Sequence, residues 1–105
     1  MDGFRFDKKT DELFKAILSL EDIKEAEAFF RDLCTIDEIK IMSERLQIAK
    51  LIFKGMPYRK IAEKLGVSTT TVSRVAVWVY HGEEGYKKVL AKMPNGIIDK
   101  ILKKK

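Results

Sequence analysis

Apolar residues recur along the chain at spacings of three and four, and no two-residue alternation of strand type persists over several positions. The pattern predicts an all-α protein of about six helices. From Lys8 to Leu20, the residues Leu13, Phe14, Ile17, Leu18 and Leu20 fall near one face, with Asp7 or Thr10 as the cap. In "EDIKEAEAFFRDLC", Ile23, Ala26, Phe29, Phe30 and Leu33 are set at helical spacing. Thr35 with Glu38 three residues on reads as a capping box for a third helix, from about Ile36 to Lys54. That helix places Ile39, Met42, Leu46, Ala49, Leu51, Ile52 and Phe53 over more than one stripe, which implies burial on several sides. Gly55 ends it, and Pro57 suits the first turn of a short fourth helix that runs through Lys64 and stops at Gly66. Ser68 caps a fifth helix from about Thr69 to Tyr80, and Gly82 ends it. "EEGYKKVLAKM" forms the sixth before Pro94 and Asn95-Gly96, and the tail "IIDKILKKK" reads as a solvated basic end.

The fourth and fifth segments, in "IAEKLGVSTTTVSRVAVW", fit two helices joined by a tight turn. Ala62 is small enough for close approach, and Gly66, four residues later, supplies the positive φ that the turn demands. Ile61, Leu65, Val67, Val72 and Val75 then fall on the inner faces of both helices. This is a helix-turn-helix, a geometry in which the second helix enters the major groove of a duplex with its N-terminal residues toward base edges. Those residues are Ser68, Thr69, Thr70 and Thr71. Short hydroxyls lower helix propensity, but they reach phosphates and base edges without holding the helix away from the groove. Arg74 lies one turn on, within reach of a phosphate or a guanine. Tyr58, Arg59 and Lys60 are placed to contact the backbone or the groove edge. Trp78 is expected to pack in a core or an interface, and His81 to sit at a helix end.

Charge agrees with that reading. Lys and Arg number 21 against 16 Asp and Glu, a net charge of +5, which favours a polyanionic partner such as double-stranded DNA. The single cysteine, Cys34, excludes an internal disulfide framework and a multi-cysteine zinc site, fits a reducing cytoplasm and reads as a small buried apolar residue. No run approaches the ~18 to 20 apolar residues of a membrane span, and the charged start "MDGFRFDKKTDE" is unlike a signal peptide. A cytoplasmic protein without membrane contact is expected. No paired carboxylates, metal-ligand spacing or nucleophile with a partner base emerges, so neither an enzyme nor a metal or other cofactor is expected.

From Cys34 onward, "CTIDEIKIMSERLQIAKLIFKGMPYRKIAEKLGVSTTTVSR" resembles the Trp repressor family, in particular its shorter bacterial Trp-repressor-like relatives. The likeness covers roughly Phe29 to Lys92 and rests on the "T-x-D-E" helix start, a central helix ending in "KG" and the helix-turn-helix. It implies six helices and an intertwined homodimer whose N-terminal helices interlock, which would account for the surplus apolar surface of the third helix. In the amino-acid-responsive members, two arginines and a threonine near the central helix start hold the effector between the central and recognition helices. Arg45, Arg74 and Thr35 match those positions. The glycine that follows the second arginine is replaced here by Val75, and the small serine four residues after that arginine by Trp78. Their bulk occupies the space a ligand ring needs, so free L-tryptophan is not expected as corepressor. Val75 and Trp78 are instead expected to hold the recognition helices in place without a ligand.

The expected organisation is a single Trp-repressor-like domain over residues 1–105. Dimerisation helices occupy 1–54, the helix-turn-helix 57–80, and a C-terminal helix with its basic tail 83–105. The expected function is that of a sequence-specific transcription regulator, a repressor, bound as a homodimer to a pseudo-palindromic operator. The alternatives are a replication-initiator-like or architectural DNA-binding module, and a helical protein-interaction adaptor whose basic face serves solubility.

Overall fold

Each of the first three helices starts where a side chain takes up a backbone N–H that the helix itself leaves unpaired. The computed structural model describes residues 6–93. Asp7 caps α1 (Lys8–Leu18), its Oδ1 accepting from the Thr10 N–H at 2.9 Å and the Thr10 hydroxyl at 2.8 Å. Of the two expected caps, Asp7 is therefore the acceptor and Thr10 the donor. Asp22 does the same for α2 (Ile23–Leu33), accepting from the Glu25 N–H at 2.8 Å. The capping box forms at the head of α3 (Ile36–Phe53): the Glu38 N–H donates to Thr35 Oγ1 at 3.1 Å, and the Thr35 N–H to Glu38 Oε1 at 2.8 Å.

Three more helices follow: α4 (Tyr58–Leu65), α5 (Thr69–His81) and α6 (Gly85–Lys92). The described residues are thus all-α, with six helices and no strand. Boundaries differ from the sequence expectation by a residue or two. The first helix ends at Leu18, short of Leu20, with Ser19 as its C-cap and the Ser19 hydroxyl donating to the Ala16 carbonyl. Pro57 is the residue before α4, at φ −58°, and not within its first turn. The sixth helix begins only at Gly85, because Glu84 adopts a left-handed conformation, φ 63°, that no helix can continue through. The expected stop at Pro94 and Asn95-Gly96, and the basic tail, lie outside the described residues.

The chain divides into two compact units, with the boundary between Ile41 and Met42. In the N-terminal unit, α1 and α2 bury no residue completely. Phe6 meets Phe14 edge to face at 5.4 Å between ring centres, and Phe29 meets Phe30 likewise at 5.7 Å. Yet Leu18 is 83% exposed and Ile23 74%, and Leu13, Phe14, Leu33, Ile36 and Ile41 also remain exposed. A shallow depression in this unit is lined by Ala26, Glu27, Phe30, Arg31 and Ile39.

The C-terminal unit holds a closed core. Ile48, Ala49, Leu51 and Ile52 of α3, Ile61 and Ala62 of α4, Val72, Val75 and Ala76 of α5, and Leu90 of α6 are all buried, with Leu46, Phe53, Met56, Leu65, Val67, Val79, Tyr86 and Met93 packed against them. Full burial of one such side chain contributes about 1.5 to 3 kcal/mol, so this cluster is what folds the unit. The expectation that α3 is buried on several sides holds only for its C-terminal half. In its first part, Ile36, Ile41 and Met42 are exposed. One single-residue expectation is also corrected, since Cys34, at the end of α2, is only partly buried; of the two places expected for Trp78, the core of the C-terminal unit is not the one it takes, as it is half exposed.

Ile61 is fully buried at the middle of this core. Ile61→Ala should lower unfolding stability by about 2 to 5 kcal/mol, read from urea denaturation. At the other end of the chain, the Thr10 N–H and hydroxyl hold the Asp7 carboxyl below its ordinary pKa. A carboxyl lowered on folding contributes stability that is present above its unfolded pKa and is lost as pH falls through the folded value. The Thr10 amide proton resonance should therefore titrate with a midpoint below the usual aspartate value, as α1 frays from its start.

Candidate nucleic-acid interface

An eight-residue helix such as α4 is marginal alone, and it is held here by what it buries. Its inner face carries Ile61 and Ala62, and α5 answers with Val72, Val75 and Ala76. The reversal between them is tight: the N–H groups of Gly66 and Val67 both turn back to the Ala62 carbonyl, the latter at 3.0 Å. Gly66 takes φ 68°, ψ 36°, the left-handed conformation that this closure needs and that a residue with Cβ resists. The inner residues expected from sequence are thus brought together, Leu65 and Val67 at the edge of the cluster and the others inside it.

The four hydroxyls at the head of α5 divide into two pairs. Ser68 Oγ accepts the Thr71 N–H at 3.0 Å and lies 2.9 Å from Thr71 Oγ1, so Ser68 and Thr71 close the helix end, with Thr71 partly buried. Thr69 and Thr70 are exposed. Thr70 shares a face with exposed Arg74, four residues on, and Thr69 with exposed Ser73. Ser73 was not among the expected residues, although its spacing from Thr69 marks it. On α4, Tyr58, Arg59 and Lys60 occupy the first turn, all exposed, with Lys64 exposed beyond them. Over residues 57–81 the charges are Arg59, Lys60, Lys64 and Arg74 against Glu63, a net +3. Small donors and acceptors at a helix N-terminus, flanked by cations on a rigid pair of helices, form a surface suited to phosphates and base edges.

The residues matched to an effector pocket are distributed differently. Thr35 belongs to the N-terminal unit, and its hydroxyl and backbone N–H are both engaged in the capping box. Arg45 and Arg74, in the C-terminal unit, are exposed. Val75 is 5% exposed and part of the core, whereas Trp78, three residues on, is 51% exposed. Gly82 adjoins this end of α5, where a Cβ would collide with the Trp78 carbonyl oxygen.

Residues 8–94 match the profile of the Trp repressor protein family, most of the chain. The chain belongs to the Trp repressor family. The family consists of DNA-binding regulators and is not enzymatic. The uncharacterised protein YerC of Bacillus subtilis (strain 168) is 43% identical over 83 residues, 79% of this chain and 80% of its own length. A crystal structure described as a TrpR-like protein from Eubacterium eligens ATCC 27750 superposes with a TM-score of 0.78 at 44% identity, covering 82% of this chain and 89% of that one. A second solved structure, from Staphylococcus aureus, gives a TM-score of 0.79 at 44% identity, covering 84% of this chain and 88% of that one. The six-helix fold is therefore that of the Trp repressor family.

The division of the hydroxyls has a measurable consequence. Ser68→Ala, which removes the cap, should lower stability by about 1 kcal/mol. Thr69→Ala should leave it within about 0.5 kcal/mol. Thermal unfolding followed by circular dichroism separates the two.

Proposed function

We propose that the protein is a sequence-specific transcription regulator, a repressor, that binds a pseudo-palindromic operator as a homodimer in the cytoplasm. The observation that carries this reading is the exposed face of Thr69, Thr70 and Arg74 on α5, a helix fixed by Val72, Val75 and Ala76 in a closed core. In this reading Thr69 and Thr70 meet base edges, and Arg74 meets a guanine or a phosphate. Tyr58, Arg59 and Lys60 contact the duplex backbone, while Ser68 and Thr71 set the angle of the helix start.

The homodimer is supported by what one chain leaves bare. Leu13, Phe14, Leu18, Ile23, Ile36 and Met42 are exposed along α1, α2 and the first part of α3, apolar surface left bare among the described residues. A second copy supplies the same residues in return, as a two-fold interface requires. The two recognition helices would then read half-sites with centres about 34 to 36 Å apart. The whole chain acts as one dimerising domain in this account. Operator binding needs no free L-tryptophan in this reading, which Val75 supports by filling core space and Trp78 by placing an indole on α5 four residues after Arg74.

The test is duplex titration over a range of salt without added ligand, together with sedimentation. Sedimentation should give the mass of two chains, and the logarithm of affinity should fall linearly with that of salt. Arg59→Ala or Lys60→Ala should each reduce the slope by about one, with similar loss on all duplexes. Thr70→Ala should change which duplex is preferred. An affinity independent of salt would overturn the proposal.

A further inference from the structure

Charge divides along this chain where the structure divides. Residues 6–41 carry ten acidic side chains against six basic ones, a net −4, and residues 42–93 carry four against ten, a net +6. The change falls at the boundary between the two compact units. All ten acidic residues of the N-terminal unit are exposed.

Helix starts explain only part of this acidity. Asp7, Asp22 and Glu38 accept backbone N–H groups at the heads of α1, α2 and α3, and Asp11, Glu25 and Asp37 sit in first turns, where the helix dipole favours them. Glu12, Glu21, Glu27 and Asp32 stand elsewhere. Asp32 is in the last turn of α2, where the same dipole opposes a carboxylate. Glu12 and Glu27 gain only the small stabilisation of a surface pair with Lys15 and Arg31, three and four residues on, and Asp32 stands against the dipole, so beyond these small local contributions their effect lies in the field they make.

Sequence-independent affinity for a duplex comes from phosphate neutralisation, and a chain with its net +5 spread evenly would attract a duplex over every exposed face. The division prevents that. Charges act over about 8 Å at physiological salt, so phosphate near the exposed carboxylates of the N-terminal unit is repelled and phosphate near the cations of the C-terminal unit is drawn in. Building on the DNA-binding reading above, we infer that the acidic surface of the N-terminal unit is a specificity determinant: it rejects duplex and confines phosphate contacts to the helix-turn-helix unit. Glu12, Glu27 and Asp32 act in this way without touching a base. They lower binding to unrelated sequence and leave operator recognition, made by α5, in place. The ratio of specific to non-specific affinity, which decides occupancy among competing sites, rises accordingly.

The experiment compares three forms of the full chain: the parent; a neutralised variant with Glu12→Gln, Glu27→Gln and Asp32→Asn; and a compensated variant that adds Lys9→Gln, Lys24→Gln and Lys40→Gln. The third restores the unit's net charge without restoring the carboxylates. Each is titrated against a duplex of unrelated sequence at about 50 mM and about 300 mM salt, with sedimentation and circular dichroism as checks on assembly and fold. At the lower salt the neutralised variant should bind about three- to tenfold more tightly than the parent, with the difference shrinking at the higher salt and absent from the compensated variant. Equal affinity of neutralised variant and parent overturns the inference, and so does tighter binding by both variants, which would trace the effect to individual side chains. Asp32→Asn alone should give a fraction of the same gain, and no gain there counts against the inference even if the triple variant folds poorly. A parent chain that binds no duplex at either salt would instead bring down the DNA-binding reading itself.

Discussion

The packing of Ile61 and Ala62 against Val72, Val75 and Ala76 is the constraint on which the candidate interface depends. Two helices of eight and thirteen residues, each marginal alone, become a rigid pair by sharing these residues with the C-terminal half of α3 and with Leu90. The pairing needs a reversal over a few residues, and a left-handed Gly66 closes it, with the N–H groups of Gly66 and Val67 both returning to the Ala62 carbonyl. Once the inner face is fixed, the outer face is fixed too. Thr69, Thr70 and Arg74 are exposed because Val72, Val75 and Ala76 are not.

Much of this was legible in the sequence, for reasons that are local. The Thr35–Glu38 box, the Ser68 cap, the glycine stops at Gly55 and Gly66 and the inner apolar set of the helix-turn-helix all depend on residues within a turn or two of one another. Features that depend on distant or partner surface were harder to read. Periodicity gave α3 a wide apolar surface but not the half of it that one chain covers. The hydroxyl pattern pointed to Ser68, Thr69, Thr70 and Thr71 together, and only the geometry separated the Ser68–Thr71 pair from the two exposed threonines. The indole of Trp78 looked like a packing residue, yet the core closes without it. The delayed start of α6 follows from a left-handed Glu84, a conformation uncommon for a residue with Cβ and without a sequence signal.

Membership of the Trp repressor family sets these details in a shared frame, and the bulk of Val75 and Trp78 is, in our reading, a departure from its amino-acid-responsive members. The recognition helix keeps its arginine and its hydroxyls, while Val75 is committed to the core. In our reading, a helix that elsewhere waits for an effector is here held by its own side chains. Regulation would then come from the concentration of the protein or from its competition with other duplex-binding proteins, which makes the balance of specific and non-specific affinity, and the charge division that tunes it, central to how the chain works.

The most direct measurement is selection of duplexes from a random library by the purified protein, at near-physiological salt and with no added ligand. The account predicts enrichment of one two-fold symmetric site whose half-sites lie about one helical turn apart. Recovery of no preferred sequence, or of a site that is enriched only when L-tryptophan is supplied, would contradict it.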